Sequence, residues 1–208
     1  MPNDEHRPPR RPALRTLAQL EGLGGSSDPA MLAEAAHETA AVLVGTGRAS
    51  QDPAVTVRLV NLVDELGIAT LAELWADRPA TSLPGALWRL YTLREWVRRD
   101  PAGAARDYDA GRISAEVAHV IAGSAEPPTP QAVQALVDEI LTGVFEDDFA
   151  VALERAAAFC RVVSVGRAHL LDDADRGVTS QAARAAALLT TANDLSRCAN
   201  LWRLGKLT

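Results

Sequence analysis

The sequence predicts an all-α protein, a multi-helix bundle of about eight or nine helices with a flexible N-terminal arm. Apolar residues recur at spacings of three and four through most of the 208 residues, which is the period of an amphipathic helix. Side-chain caps followed directly by proline mark several helix starts. No segment shows the alternation or β-branched richness of a strand, apart from short ambiguous runs such as Val42 to Val44.

Residues 1–28 are rich in Pro, Arg and Gly, and we expect them to form a mobile arm with a short helix over Leu14 to Leu20. Four arginines of this arm could contact an acidic partner, although a solvated tail is the simpler interpretation; they are Arg7, Arg10, Arg11 and Arg15. Residues 29–208 are expected to form a single helical domain. A chain of this length with 48% hydrophobic residues can bury a large core without disulfides or a metal.

Capping residues divide the first half of this domain into helices. Asp28 and Asp52 each precede a proline, so helices should begin there, and Gly67 should end the second of them. Thr70 is expected to cap a short helix over Leu71 to Ala76. Ser82 should cap the next helix, which ends at Asp100 because a proline follows.

The second half contains four more predicted helices. A brief one runs from Ser114 to Gly123, another from Thr129 to about Thr142, and a third begins at Asp147 or Asp148. The final helix extends from about Thr179 to Leu204. Small and large residues alternate along its apolar stripe, so we expect the last two helices to pack closely and nearly antiparallel.

The helix after Ser82 carries the most informative pattern of the chain, because it is apolar on two sides. Its core-facing stripe consists of Leu83, Ala86, Leu90, Leu93 and Val97. A second column is rotated away from this stripe and, with the arginines that flank it, consists of Trp88, Arg89, Thr92, Trp96 and Arg99. Trp and Arg dominate interface hot spots. We therefore predict that this column is an interaction surface, with burial under another helix as the alternative.

Composition limits the classes of partner. The net charge of −6 disfavours nucleic acid, because backbone binding needs clustered Lys and Arg. The helical corner at Leu66 to Leu74 offers Glu73 where a DNA-reading helix would offer basic or amide side chains. No apolar run reaches the length of a membrane span. We expect a cytoplasmic protein, since Cys160 and Cys198 follow no disulfide or metal pattern, and the excess of Ala and Arg is typical of high-GC bacteria.

Two Glu-x-x-His motifs are the strongest indication of catalysis. They are Glu34 with His37 and Glu116 with His119, and carboxylate-bridged di-metal bundles use such pairs as ligands. Both pairs point away from the apolar face of their predicted helix, so we expect solvated side chains rather than a metal site. No nucleophile motif or phosphate-binding loop is present. We therefore predict no cofactor, and a protein without catalytic activity is the simpler interpretation.

Three hypotheses follow for the function. The leading one is a non-catalytic helical protein that acts through protein contacts or self-association. The second is a small-ligand-binding or transcription-regulatory protein, in which Arg94 beside Tyr91 orients an anionic head group; pairing of Arg94 with Glu95, Asp100 or Asp107 is the simpler interpretation. The third is a carboxylate-bridged metalloenzyme.

Overall fold

The structure is a computed structural model, which describes residues 28–50, 52–114, 128–146, 148–172 and 178–208. These ranges contain nine α-helices and no strand, so the predicted all-α class is confirmed for them. The helices are α1 (Pro29–Ala49), α2 (Pro53–Val60), α3 (Leu62–Leu66), α4 (Ile68–Trp75), α5 (Leu83–Arg99), α6 (Pro101–Ser114), α7 (Pro130–Glu146), α8 (Phe149–Asp172) and α9 (Val178–Arg203). The predicted arm and most of the predicted helix from Ser114 to Gly123 lie outside the described residues.

The predicted cap residues start their helices as expected. Asp28 Oδ1 accepts a hydrogen bond from the amide of Ala30 at 3.0 Å, and Asp52 Oδ1 accepts one from Ala54 at 2.9 Å. Ser82 Oγ accepts from the amide of Gly85 at 3.2 Å. Each side chain satisfies an amide that the first turn of a helix leaves without a partner.

Two details of the first half differ from the prediction. The helix that begins after Asp52 is interrupted at Asn61, which separates α2 from α3. α4 begins at Ile68 and not after Thr70, because Gly67 turns the chain with a positive φ of 82°. Thr70 lies within α4, where its hydroxyl donates to the carbonyl oxygen of Leu66 at 2.8 Å.

α8 and α9 form the antiparallel pair that the sequence predicts. Ser164 near the end of α8 donates to the carbonyl oxygen of Ala185 near the start of α9. At the opposite end of the pair, Phe149 makes an edge-on ring contact with Trp202 at 4.6 Å. The predicted apolar stripe of α8 is completely buried; it consists of Phe149, Leu153, Ala156, Cys160 and Val163. This pair, together with α5, forms the frame of the candidate site.

α6 was not predicted from the sequence. It follows α5 after Asp100, whose carboxylate accepts from the amide of Gly103 at 2.9 Å, and it packs against α8. The contact is between backbones: a Cβ atom placed on Gly111 would lie 1.8 Å from the carbonyl oxygen of Val162. The same atom on Gly166 would lie 1.8 Å from the carbonyl oxygen of Asp107. Glycine is therefore required on both helices at this crossing.

No helix among the described residues combines the length and the apolar character that crossing a lipid bilayer would require.

Candidate functional site

α5 buries its predicted core stripe and leaves its second column half covered. Leu83, Ala86, Leu90, Leu93 and Val97 are all buried, and so are Leu87, Tyr91 and Arg94. Trp88 and Trp96 are partly buried and pack against the edge of the core. The second side of α5 is thus neither a fully buried seam nor a free surface.

A cleft lies beside Trp96, between α5 and α9, with α8 at one end. We call it the Trp96 cleft, and its volume is about 260 Å³. It is lined by Arg89, Thr92, Leu93, Trp96, Arg167, Arg184, Ala187, Leu188 and Thr191. The four residues from α5 and the four from α9 each follow the spacing i, i+3, i+4, i+7. Residues at this spacing share one helix face, so two helical stripes form the walls of the cleft.

Arg89 forms one end of the α5 wall and is held in place by two contacts. Its Nη1 donates to the carbonyl oxygen of Gly85 at 3.0 Å, and its Nη2 lies 3.1 Å from Asp194 Oδ2 on α9. Its Nε is buried and has no hydrogen-bond partner among the described residues. A guanidinium has five N–H donors in a fixed fork, so Arg89 keeps spare donor capacity.

Arg167 extends from α8 over the Trp96 ring. Its Nε donates to Asp107 Oδ2 of α6 at 2.6 Å, and its guanidinium carbon lies 4.6 Å from the ring centroid of Trp96. Asp107 is buried, with 5% of its surface exposed. The salt bridge and the cation–π contact together fix both side chains at the cleft.

Arg184 is the least constrained of the three arginines. It is exposed on α9, and no carboxylate of the described residues lies within ion-pair distance of it. Arg89 and Arg167 are each neutralised by one aspartate, Asp194 and Asp107. Among the described residues, the cleft therefore carries one positive charge without a paired carboxylate, beside an aromatic ring, in a chain of net charge −6. Such a site favours an anionic group attached to an apolar body.

The structure brings together three of the five residues of the predicted interaction surface. Arg89, Thr92 and Trp96 line the cleft, whereas Trp88 does not. Arg99 also lies outside the lining and is paired with Glu95 at 2.8 Å. Their role as a binding surface remains a prediction.

Arg94 and Tyr91 are in the core and do not line the cleft. Arg94 Nε donates to Asp138 of α7 at 2.6 Å, and its Nη2 donates to Asn61 at 2.8 Å. The partners suggested by the sequence were Glu95, Asp100 and Asp107; in the structure Arg94 instead pairs with Asp138, and Asp64 lies 3.9 Å from its Nη1. Tyr91 donates its hydroxyl to the carbonyl oxygen of Leu59 at 2.6 Å, and burial raises its pKa well above the usual value, against the opposing effect of Arg94.

Only one of the two Glu-x-x-His motifs falls within the described residues. Glu34 is exposed, and His37 is half-buried with its Nδ1 donating to the carbonyl oxygen of Ala33 at 2.7 Å. Glu116 and His119 lie outside the described ranges. Within those ranges, no three His, Cys, Asp or Glu residues are grouped so that they could hold a metal ion.

The arginines that α8 and α9 contribute to the cleft were not predicted from the sequence. Arg167 and Arg184 are far from α5 in the chain, and only tertiary packing brings them to Trp96. One signal was present: Arg184, Leu188 and Thr191 follow the same helical spacing as the α5 wall. That stripe shares Leu188 with the predicted core stripe of the last helix, and Leu188 is its only strongly apolar residue.

Comparison of this chain with models of protein families, with curated proteins and with solved structures gives no match in any of the three. The function is therefore inferred from the geometry of the chain itself.

Both cysteines should be unreactive in the folded protein. Burial raises the pKa of Cys160 to about 12 and that of Cys198 to about 11, so both remain protonated thiols at pH 8, and the thiolate is the reactive form. We expect no fast reaction with Ellman's reagent at pH 8, and release of two equivalents per chain in denaturant. If one equivalent of thiol reacted quickly in the native protein, it would contradict this packing and identify an accessible thiol.

Proposed function

We propose that this chain is a non-catalytic binding protein, and that the Trp96 cleft receives an acidic side chain of a protein partner. The observation that carries the proposal is the position of Arg184, which is exposed and has no ion-pair partner among the described residues, on the same cleft as Trp96 and the Arg89 and Arg167 guanidiniums. A carboxylate entering the cleft would find charge-assisted donors and an aromatic surface together.

The size of the cleft favours a side chain over a complete small molecule. Its volume of about 260 Å³ is below the roughly 300–1,000 Å³ of pockets that enclose drug-sized ligands. A single Glu or Asp flanked by an apolar residue needs less room, and Leu93 and Leu188 provide apolar contact. A small anionic ligand is the second candidate, and the experiment below separates the two.

The arrangement of the walls also favours protein contact. Tryptophan and arginine are the residue types that most often dominate binding energy at interfaces, and hot spots cluster in well-packed pockets. Arg167 and Arg89 are held by buried or half-buried aspartates before any partner arrives. Less side-chain entropy is therefore lost on binding than with free arginines.

The test uses protein labelled with ¹⁵N at its four tryptophans, with the Trp96 indole resonance assigned from Trp96→Phe. The probes are acetyl-Ala-Leu-Glu-Leu-Ala-amide and its Gln counterpart at millimolar concentration. We expect the Glu peptide to shift the Trp96 resonance and the Gln peptide to bind at least about tenfold more weakly. A hydrogen bond to a charged group contributes about 1.5–3 kcal/mol, and 1.4 kcal/mol corresponds to a factor of ten.

Arg184→Glu and Arg197→Glu form a matched pair for this test. Both arginines are exposed on α9 and both substitutions change the net charge equally, but Arg197 does not line the cleft. Arg184→Glu should weaken peptide binding about tenfold or more, and Arg197→Glu should leave it unchanged. If both variants bound the peptide equally weakly, the effect would come from the net charge of the protein and not from the cleft. Binding of acetate or phosphate as strongly as the peptide would favour the small anionic ligand and contradict the protein-contact proposal.

A further inference from the structure

A second surface, an apolar groove that shares no lining residue with the Trp96 cleft, is also incompletely covered. We call it the α1 groove; it lies between α1, α3 and α4 and has a volume of about 410 Å³. Leu71 and Trp75 form its buried floor, each 1% exposed. Its rim includes Val42 and Leu66, which are 60% and 49% exposed. Exposed apolar residues grouped around a cavity indicate a docking site.

The surroundings of the groove are acidic. Glu38 lines it and Glu34 lies one turn earlier on α1; both are exposed, and neither forms an ion pair with a described residue. The only Lys or Arg of α1 is Arg48, in its last turn. An apolar segment flanked by arginines would match this groove in both hydrophobicity and charge.

We propose that the α1 groove is occupied by residues 14–20 of the same chain, which lie outside the described residues. Leu14, Leu17 and Leu20 fall within about 120° of one another on a helix, so a helix over this segment presents one apolar face. Arg15 lies within the segment, and Arg7, Arg10 and Arg11 precede it in the chain. The apolar face matches the apolar groove, and the arginines match the carboxylates beside it.

The chain is long enough for this docking. Val42 is 14 residues after Asp28, which corresponds to about 21 Å along α1. The eight residues from Leu20 to Asp28 can span up to about 26 Å, and they include glycine and serine. The segment can thus lie back along α1. Because it is tethered, its effective concentration at the groove is on the order of millimolar, so a modest contact area is enough to keep it bound.

Cross-linking in the full chain tests the proposal. Ala18→Cys, which leaves the three leucines in place, is combined with Val42→Cys at the groove, or with Val57→Cys as the control. Val57 is 57% exposed and Val42 is 60% exposed, and Val57 does not line the groove. A short bismaleimide is added to each dilute protein, whose helical content is first compared with that of the parent chain. We expect the Val42 pair to form an intramolecular cross-link at least about tenfold faster than the Val57 pair, since only docking raises the local concentration selectively.

The other outcomes overturn the proposal. Equal rates for the two pairs would mean that the segment does not dwell in the groove. A cross-linked species of twice the chain mass, formed preferentially by the Val42 pair, would place a second copy there instead. Adding Leu66→Glu to the Val42 pair checks the apolar contact, because a charge at the rim should reduce the rate to that of the Val57 pair. An unchanged rate in this triple variant would contradict docking in the groove.

Discussion

Gly166→Ala is expected to lower the free energy of unfolding by about 3 kcal/mol, at the upper end of the usual cost of overpacking. The new Cβ atom would lie 1.8 Å from the carbonyl oxygen of Asp107 and 2.6 Å from the amide nitrogen of Gly111. These are backbone atoms of α6, so no side-chain rotation can relieve the contact. α6 and α8 would have to move apart along their crossing, and buried side chains on both helices would lose contacts.

Gly45→Ala is the matched control, because it makes the same chemical change in the interior of another helix. No heavy atom lies within 4 Å of a Cβ atom placed there, so replacing glycine should raise the free energy of unfolding by about 0.5–1 kcal/mol. Urea denaturation at constant m-value measures both variants. If the urea midpoints of both variants shifted in the same direction, α6 and α8 would not approach each other as closely as the structure indicates.

The same crossing connects the fold to the candidate site. Asp107, one turn before Gly111 on α6, holds Arg167 of α8 at 2.6 Å, and Arg167 in turn lies over Trp96. Moving α6 away from α8 would therefore displace one arginine of the Trp96 cleft. The glycines position a charged group as well as stabilising the packing.

α6 also shows where sequence reasoning fails and why. Asp28 and Asp52 each precede a proline and correctly predicted a helix start, because the signal is local. The same signal at Asp100 was interpreted only as the end of α5, although Asp100 also caps α6. α6 contains two glycines, Gly103 and Gly111, which lower intrinsic helix propensity. The missing side chain of glycine disfavours a helix locally but allows a second helix to pack closely. This advantage becomes visible only once the partner helix is known.

The candidate site was predicted on one wall only. The α5 pattern identified Arg89, Thr92 and Trp96 because large apolar and basic residues followed one helical column. Arg167 and Arg184 were not found, since single arginines on exposed helix faces are common and carry no local signal. Arg94 was proposed to orient a ligand because it is a basic residue next to the apolar stripe. Its partner Asp138 is distant in the chain and could not be deduced from spacing within α5.

Asp138→Ala should destabilise the fold by about 3 kcal/mol, the low end of the cost of leaving a buried charge without its partner. The Arg94 side chain is 5% exposed and would remain charged in the core. Its remaining partners would be Asn61 at 2.8 Å and Asp64 at 3.9 Å, and Asp64 is already paired with Arg98 at 2.7 Å. Arg94 Nη1 is buried and has no hydrogen bond among the described residues even in the intact pair.

Arg94→Met should cost less than Asp138→Ala, about 1 kcal/mol, although it removes the same salt bridge. The Asp138 side chain is 45% exposed, so water can solvate its carboxylate once the guanidinium is gone, and methionine fills most of the vacated volume. Adding Arg94→Met to Asp138→Ala should restore most of the lost stability, because the double variant leaves no charge buried. Urea denaturation of the two single variants and the double variant measures this cycle.

The cycle also decides between a structural and a ligand-orienting role for Arg94. A structural role predicts that Arg94→Met leaves the affinity of the Trp96 cleft for the Glu peptide unchanged, since Arg94 does not line that cleft. A stability loss in Arg94→Met as large as in Asp138→Ala would contradict the asymmetry argued from burial. Loss of peptide binding in a fully folded Arg94→Met protein would show that a core arginine acts on the ligand, and the hypothesis of an anion oriented by Arg94 would then replace the present account.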